Sequence, residues 1–383
     1  MSDLLSWRKE FPILETTTYL ISNSLGAMPR AVSQSLQSYA DMWATRGVRA
    51  WEEGWWEMAV ALGDKIAPII GADPGTISLH ENVTLTHAII ASCFDFQGPR
   101  RKVVLTDKHF PSIQYFWHAQ RGRGAQVELL RTEEDPLRVP LEKLLAAIDD
   151  RTLLVPISHV LFRSAYVQDV PVIVEKAHRV GALVILDAYQ SAGVLPVEAK
   201  KWGVDFVVGG TLKWLCGGPG VAYLYVRPDL APKLEPTITG WIAHPRPFNF
   251  ETGPGVYRDD AYRFLNGTPH IPALYAAAPG LDIIQQVGVE RIRQRSLQLT
   301  RHLLERARER GWRVHTPEAD HERGGTVTLD VPRGPEVLRE LLRRDFLVDY
   351  RPNAGLRASP HFYNTEEEID RLVAEIVSIL ATG

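Results

Sequence analysis

Cysteine is nearly absent from this sequence of 383 residues, in which only Cys93 and Cys216 occur. The two lie in apolar or glycine-rich surroundings and show no spacing typical of metal ligands. We therefore expect neither a disulfide framework nor a metal site. A reducing compartment, the cytoplasm, fits this cysteine usage.

An excess of charge and long apolar runs are missing as well. Lys and Arg number 43 against 46 Asp and Glu, a formal net charge of -3, so nothing indicates a nucleic-acid partner and a small-molecule partner is expected. No stretch approaches eighteen uninterrupted apolar residues, and the N-terminus lacks an apolar core of signal-peptide length. Membrane spanning and secretion are therefore disfavoured.

What the chain does contain, between Ile77 and Val226, is an alternation of apolar strand-like runs with helical patterns. This alternation predicts βαβ units, and so an α/β fold with a mostly parallel sheet and helices on both faces. After Pro228 a turn-rich region leads to helices and short strands, which predicts a smaller α+β domain. We expect an N-terminal segment (1–50) associated with the small domain, a large domain (51–270) and a small C-terminal domain (271–383).

An acid and a lysine mark the ends of two neighbouring predicted strands. Asp187 ends an apolar run, and Lys213 follows a second run, 204–208, and precedes a glycine-rich turn. Ligands of open α/β sheets bind at the carboxyl ends of the strands. Pyridoxal 5'-phosphate (PLP) needs this pair, because an amine forms its Schiff base and a carboxylate keeps its pyridine nitrogen protonated. The pair therefore predicts a PLP site.

Two further segments could contact such a cofactor. Residues 77–94 predict a strand, a hydroxyl-bearing turn and a helix, in which Thr84 either binds the phosphate or caps the helix. These two interpretations are equally supported by the segment itself. The loop 107–112 could bring Phe110 over the cofactor ring, although a core role is the stronger interpretation from the residues alone.

Several motifs extend these signals over nearly the whole chain. They are Asn23-Ser-Leu-Gly26, Phe110-Pro-Ser112, His159-Val-Leu-Phe-Arg163, Asp187-Ala-Tyr-Gln190, Lys213-Trp-Leu-Cys-Gly-Gly-Pro-Gly220, Gly240-Trp241, Gly267-Thr-Pro269 and Asn353-Ala-Gly-Leu-Arg357. With them the chain resembles the class V aminotransferase family, PLP enzymes of fold type I, and within it the kynureninases. The resemblance implies a PLP-dependent hydrolase or lyase that binds an α-amino acid as an external aldimine and cleaves it at the β-carbon side.

The resemblance also implies roles for individual residues. Lys213 would hold the cofactor as an internal aldimine and later transfer protons, and Asp187 would pair with the pyridinium nitrogen. The other cofactor contacts would be Val83, Thr84, Phe110, Ser158 and Gln190. The substrate contacts would be Arg357, on the α-carboxylate, with Asn23 and Ser24. Residues that match phosphate contacts from a second subunit, and so imply a homodimer, are Trp241, Asn266 and Thr268.

The chain departs from the kynureninase pattern at four places. Ile113 stands where Asp is usual, Gln190 where His is usual and Leu212 where Tyr is usual. The segment 47–51 lacks the histidine that kynureninases have near the aromatic ring of the substrate. PLP binding is expected in spite of these departures, whereas the substrate is left open.

Other activities therefore stay as alternatives: transamination, epimerisation, or carbon–sulfur cleavage without a catalytic cysteine. A persulfide-forming desulfurase needs a cysteine in its C-terminal part, and none follows Cys216. A ligand-binding relative without turnover is a further alternative. The combination of Lys213, Asp187 and Arg357 argues against it.

Overall fold

The computed structural model describes residues 2–133 and 135–382. Within these residues the strands form a large, a medium and a two-stranded sheet. The strands are β1 (Thr18–Tyr19), β2 (Ile77–His80), β3 (Lys102–Thr106), β4 (Gln126–Leu130), β5 (Thr152–Ser158), β6 (Leu183–Asp187), β7 (Phe206–Gly210), β8 (Ala222–Val226), β9 (Arg313–Val314), β10 (Val327–Asp330), β11 (Phe346–Leu347), β12 (Asp349–Arg351) and β13 (Gly355–Ala358).

Helices connect and cover these strands. They are α1 (Ser2–Leu5), α2 (Ala31–Arg46), α3 (Trp55–Ala61), α4 (Gly63–Ile66), α5 (Val83–Ser92), α6 (Pro111–Ala119), α7 (Leu141–Ala147), α8 (Val170–Arg179), α9 (Ala199–Trp202), α10 (Ile271–Val287), α11 (Val289–Glu309), α12 (Gly334–Arg343) and α13 (Glu366–Ala381). Along the described part of the chain, no helix combines the length and apolar character needed to span a bilayer.

The large sheet contains seven strands in the order β2-β8-β7-β6-β5-β3-β4. Neighbouring strands from β7 to β4 are parallel, whereas β8 runs antiparallel to both β7 and β2. The strands β3, β7 and β8 are buried along their whole length, as expected for a sheet that is covered on both faces. The predicted α/β fold with a mostly parallel sheet is confirmed.

Both faces of this sheet carry an apolar core. Successive side chains of a strand point to opposite faces, and in β6 they enter two different apolar clusters. Val184 and Leu186 belong to one cluster, and Ile185 belongs to the other. The helices therefore cover two faces of one sheet, and the carboxyl edge of the sheet stays free for a site.

The C-terminal part forms a four-stranded antiparallel sheet in the order β12-β13-β10-β9. Its apolar side chains share a cluster with those of α11, α12 and α13. Near the N-terminus, β1 pairs in parallel with β11. This pairing supports our proposal that residues 1–50 associate with a small domain (271–383), next to a large domain (51–270).

Candidate active site

Three strand ends meet at the carboxyl edge of the large sheet. Ser158 ends β5 and Asp187 ends β6, and the two residues are paired in register. Asp187 also pairs with Val208 of β7, and the chain reaches Lys213 shortly after this strand. Because β5, β6 and β7 are parallel, their carboxyl ends lie side by side, where ligands of such sheets bind.

A cavity of about 290 Å³ opens at this edge. Its walls come from the large sheet, the N-terminal segment and the small sheet. The predicted site residues that line it are Asn23, Ser24, Val83, Phe110, Ser158, Asp187, Gln190, Lys213 and Arg357. The other lining residues are Ile113, Val160, Phe162, Tyr189, Leu212 and Arg351.

The N-terminal segment reaches the cavity because Gly26 allows a close approach to the lysine turn. The Gly26 N–H donates a hydrogen bond to the Leu212 carbonyl oxygen at 2.8 Å. A Cβ atom on Gly26 would overlap the carbonyl oxygen of Lys213 and crowd the backbone of Cys216. Only glycine fits this contact, which places Asn23 at the cavity wall.

The Asp187 carboxylate is buried, and the backbone holds one of its oxygens. Its Oδ1 accepts a hydrogen bond from the Tyr189 N–H at 2.8 Å. Burial raises the pKa of Asp187 to about 6, an effect that the Tyr189 N–H and Lys213 partly oppose. The carboxylate is therefore mostly ionised at neutral pH. Its Oδ2 is available to a cationic group of a ligand.

Lys213 lies in the same cavity, between aromatic rings. Its Nζ is 4.8 Å from the ring centroid of Tyr189 and 5.7 Å from that of Phe110. Burial lowers the pKa of Lys213 to about 8; Asp187 opposes this shift and Arg357 adds to it. About one amine in ten is then neutral at pH 7. The neutral amine is the nucleophile that forms a Schiff base.

Two buried amides at the cavity have unused hydrogen-bonding capacity. Asn23 is 1% exposed, and among the described residues neither its Nδ2 nor its Oδ1 has a partner. Gln190 Nε2 donates to the Asn23 carbonyl oxygen at 3.0 Å, and Gln190 Oε1 accepts from Trp214 Nε1 at 3.1 Å. One Gln190 N–H remains. Since buried polar groups are normally paired, this wall fits a polar ligand.

The N-terminus of α5 reaches the cavity through Val83. First-turn N–H groups have no partner within a helix and attract anions such as phosphate. Asn82 caps this helix, because its side chain accepts a hydrogen bond from the Leu85 N–H at 3.0 Å. The interpretation of Thr84 as the cap is therefore wrong. Thr84 is exposed in the first turn and does not line the cavity.

Phe110 is 46% exposed and lines the cavity, so its interpretation as a core residue is wrong. Its ring meets that of Phe162 edge-on, with the centroids 5.4 Å apart. The ring of Phe110, this close to Lys213, offers a face on which a planar cofactor can stack.

Ser158 also lines the cavity, and its Oγ is 3.1 Å from Nδ1 of the buried His109.

Arg357 of β13 is 2% exposed and fully engaged on one side of its guanidinium. Its Nε donates to Asp349 Oδ1 at 2.7 Å, and its Nη2 donates to Asp349 Oδ2. Its Nη1 donates to the carbonyl oxygen of Phe162. A buried, oriented guanidinium at a cavity wall is suited to binding a carboxylate.

Arg351 lines the cavity and Asp349 holds Arg357, although no sequence motif indicates either residue. Both lie on β12, and Asp349 is paired with Arg357 across the antiparallel β12–β13 hairpin. Asn353, between the two strands, and Gly355, which begins β13, take positive φ values of 61° and 120°. The turn between the strands is the one feature from which the hairpin could be predicted. Predicting that Asp349 faces Arg357 also requires the register of the two strands, which a single sequence does not show.

The predicted residues Trp241, Asn266 and Thr268 do not line this cavity. Trp241 is 38% exposed, and its ring contacts the aromatic side chains of Trp56, Phe248 and Phe250. Asn266 and Thr268 line a separate cleft. The two segments touch, because a Cβ on Gly240 would overlap the Asn266 carbonyl oxygen. They form one surface of the chain outside its own cavity.

The residues present fit PLP. A partly neutral buried lysine, an ionised carboxylate, a helix N-terminus and an aromatic ring surround one cavity, as described above. The amide of Asn23, which has no partner among the described residues, provides buried polar atoms that a bound molecule can satisfy.

Comparisons with curated proteins extend this picture. The uncharacterized aminotransferase YcbU of Bacillus subtilis (strain 168) is 34% identical over 372 residues, which cover 97% of each chain. A kynureninase of Burkholderia pseudomallei (strain 1106a) is 32% identical over 369 residues, which cover 91% of this chain and 86% of that protein.

Solved structures share the fold. A cysteine desulfurase from Thermococcus onnurineus NA1 matches with a TM-score of 0.86 at 22% identity, covering 99% of this chain and 98% of that one. A C-DES variant with glycine covalently linked to its PLP cofactor matches with a TM-score of 0.85 at 23% identity, covering 96% and 98%. These likenesses confirm a fold of type I.

The family model for aminotransferase class V matches residues 18–372, almost the whole chain. The predicted family is thereby confirmed, and with it PLP as the cofactor. The chain belongs to the class V aminotransferase family of PLP-dependent enzymes.

Proposed function

We propose that this enzyme is a kynureninase-like hydrolase or lyase that cleaves an α-amino acid at the β-carbon side and releases alanine or a similarly small product. The observation that carries the proposal is that Lys213, Asp187 and Arg357 line one cavity of about 290 Å³. The 32% identity to a kynureninase over 91% of the chain supports the type of reaction.

The roles proposed for the cofactor-side residues follow from their positions. Lys213 would hold PLP covalently and then move protons, since its depressed pKa leaves part of the amine neutral. Asp187 would keep the pyridine nitrogen protonated, and PLP would then withdraw electrons from the substrate α-carbon. First-turn N–H groups of Val83 and Thr84 would bind the phosphate, and Phe110 would cover the ring.

Further residues would complete the site. Gln190 and Ser158 would bind polar atoms of the cofactor, because both line the cavity and Gln190 retains one free N–H. On the substrate side, Arg357 would bind the α-carboxylate, and Asn23 and Ser24 would contact the amino acid from the N-terminal segment.

Transamination is a second candidate, because the relative at 34% identity carries an aminotransferase name. Epimerisation and carbon–sulfur lysis use the same cofactor contacts. Persulfide formation is disfavoured by the position of the cysteines. Cys216 is buried with its pKa raised by burial to about 12, and neither Cys216 nor Cys93 lines the cavity.

A homodimer is part of the proposal. Trp241, Asn266 and Thr268 form a surface outside the cavity of their own chain, which is where residues that serve a second subunit's cofactor would lie. Aromatic side chains around Trp241 are exposed, Phe248 by 56% and Phe250 by 72%. Exposed aromatic patches of this kind are typical of subunit interfaces. The scarcity of cysteine supports a cytoplasmic location.

A product analysis tests the proposed reaction. The holoenzyme is incubated with kynurenine, other β-substituted amino acids and cysteine derivatives, and the products are identified by mass spectrometry, with the Lys213→Ala variant as the blank. Alanine together with an acid derived from the side chain would support the proposal. Pyruvate with ammonia would indicate β-elimination, and a 2-oxo acid formed only in the presence of an amino acceptor would indicate transamination. Either of these results, without alanine, would refute it.

A further inference from the structure

An ion-pair cluster stands at the small-sheet wall of the cavity. The side chains of Arg357 and Asp349 are 3% and 9% exposed, and the two are joined by the paired hydrogen bonds described above. Arg351 adds a second guanidinium, with its Nη2 at 3.0 Å from Asp349 Oδ2. One buried carboxylate therefore binds two arginines, and both arginines line the cavity.

The hydrogen bonds of Arg357 leave a defined edge of its guanidinium unused. A guanidinium has five N–H groups. In Arg357 one on Nε and one on Nη2 bind Asp349, and one on Nη1 binds the Phe162 carbonyl oxygen. One N–H each on Nη1 and Nη2 remains. The remaining N–H of Nη2 faces Nη1, so this end of the guanidinium can meet the oxygens of a carboxylate. Because Asp349 binds the Nε–Nη2 edge of the guanidinium, it fixes which edge stays free for a ligand.

The cluster also sets the charge that a substrate meets. Two arginines and one aspartate sum to a single positive charge, and one α-carboxylate neutralises it. Lys213 and Asp187 would be committed to the cofactor. Much of the remaining wall is apolar, including Val160 and Leu212. Beside the buried Arg357, a second carboxylate would stay uncompensated and a cationic side chain would be repelled; both are costly away from water.

The size of the cavity bears on how much of the substrate it encloses. Small-molecule sites in proteins span roughly 300–1,000 Å³, and the cavity of about 290 Å³ must hold the cofactor as well as the amino acid. A large side chain would therefore extend toward solvent past Phe110 and Arg351, which line the cavity and are 46% and 43% exposed.

We propose that Asp349 is a positioning residue, which orients Arg357 toward the substrate carboxylate, and that the cavity selects α-amino acids with an uncharged side chain. This inference rests on the proposed function in that the ligand is an amino acid bound next to PLP. It does not depend on which bond is then cleaved.

Binding of matched ligands tests the role of Asp349. Alanine and ethylamine differ only by the carboxylate, so the ratio of their affinities, measured by titrating the absorption band of the bound cofactor, reports carboxylate recognition without turnover. In Asp349→Asn we expect the preference for alanine to fall about 10- to 100-fold while the protein still loads PLP. Asp330→Asn, which changes a half-exposed acid on β10 of the same sheet, is the matched control and should keep the wild-type ratio.

Several outcomes would overturn the positioning role. A ratio within about twofold of wild type in cofactor-loaded Asp349→Asn would do so. Should that variant fail to fold, Asp349→Glu keeps the charge and shifts the carboxylate by one methylene; an unchanged ratio there would also refute the role. If no amino acid perturbs the cofactor band of the wild-type enzyme, the proposed function fails together with this inference. If amino acids bind but no β-side cleavage occurs, only the proposed reaction fails.

A panel of side chains tests the selectivity. The same titration with alanine, 2-aminobutyrate, aspartate and lysine should show the two uncharged ligands binding at least about tenfold more tightly than the charged ones. Tightest binding of aspartate would overturn the charge argument and assign Arg351 to a side-chain carboxylate. Tightest binding of lysine would overturn it as well.

Discussion

Capture of PLP by the apoenzyme should become almost independent of pH above pH 8. The reacting form of Lys213 is its neutral amine, and burial lowers the pKa of this residue from 10.5 to about 8. The pKa of Asp187 is about 6, so this neighbour is already ionised at pH 8 and does not change above it. The rate of capture between pH 8 and pH 10 therefore follows the titration of Lys213 alone.

The expected magnitude separates a buried lysine from an ordinary one. With a pKa of about 8, roughly half of the amines are neutral at pH 8 and nearly all at pH 10, so the rate should rise only about twofold. A lysine with the unshifted value of 10.5 would gain roughly 75-fold over the same interval. From pH 8 to pH 7 the predicted rate falls about fivefold, because the neutral fraction drops from about one half to about one in ten.

Stopped-flow mixing of apoenzyme with PLP measures this rate, and reduction with borohydride verifies that the product is covalent. Two variants give opposite shifts. Asp187→Asn removes an anion that raises the pKa of Lys213, so the midpoint should move to lower pH. Arg357→Gln removes a cation that lowers this pKa, so the midpoint should move to higher pH. A wild-type rate that keeps climbing to pH 10, or two shifts in the same direction, would refute the electrostatic account of Lys213.

Three further predictions concern other parts of the chain. Lys213→Ala should abolish the borohydride-sensitive absorption band and turnover while its circular dichroism stays that of the wild type; retained turnover would show that another residue carries the cofactor. Gly26→Ala should lower the free energy of unfolding by about 1–3 kcal/mol, because its Cβ would overlap the Lys213 carbonyl oxygen; chemical denaturation measures this, and an unchanged midpoint and slope would contradict it. The wild-type protein should show twice the chain mass in light scattering. Gly240→Ala pushes the Trp241 and Asn266 segments apart, and it should weaken both the dimer and the retention of PLP. A monomeric wild-type protein that retains PLP would contradict the proposed interface.

The strand and helix pattern of the large sheet could be predicted because its signals are local. Each apolar run between Ile77 and Val226 is long enough to be buried as a strand, and glycines and polar residues mark its ends. Parallel strands connected by helices place their carboxyl ends at one edge. For that reason Asp187 and Lys213 could be predicted to lie together, as they do in the structure.

Contacts between segments that are distant in the chain could not be predicted from the sequence in the same way. Phe110 is a residue type that is usually buried in a core. It lines the cavity and is partly exposed only because its loop lies beside Lys213. Thr84 is a good capping residue by type, yet Asn82 takes that position because the helix begins at Val83, two residues before a Thr84 cap would start it. Both outcomes depend on where an element starts or which neighbour it meets.

By itself, therefore, the sequence determined the α/β fold, the family and PLP as the cofactor, because periodicity and motif spacing are properties of short stretches. Only the tertiary structure decided what surrounds the substrate. The pairing of Asp349 with Arg357 depends on the register of β12 and β13, and the arrival of Asn23 at the cavity depends on the contact of Gly26 with the lysine turn. Charge balance and cavity shape arise from such long-range contacts, and these set which amino acid can bind.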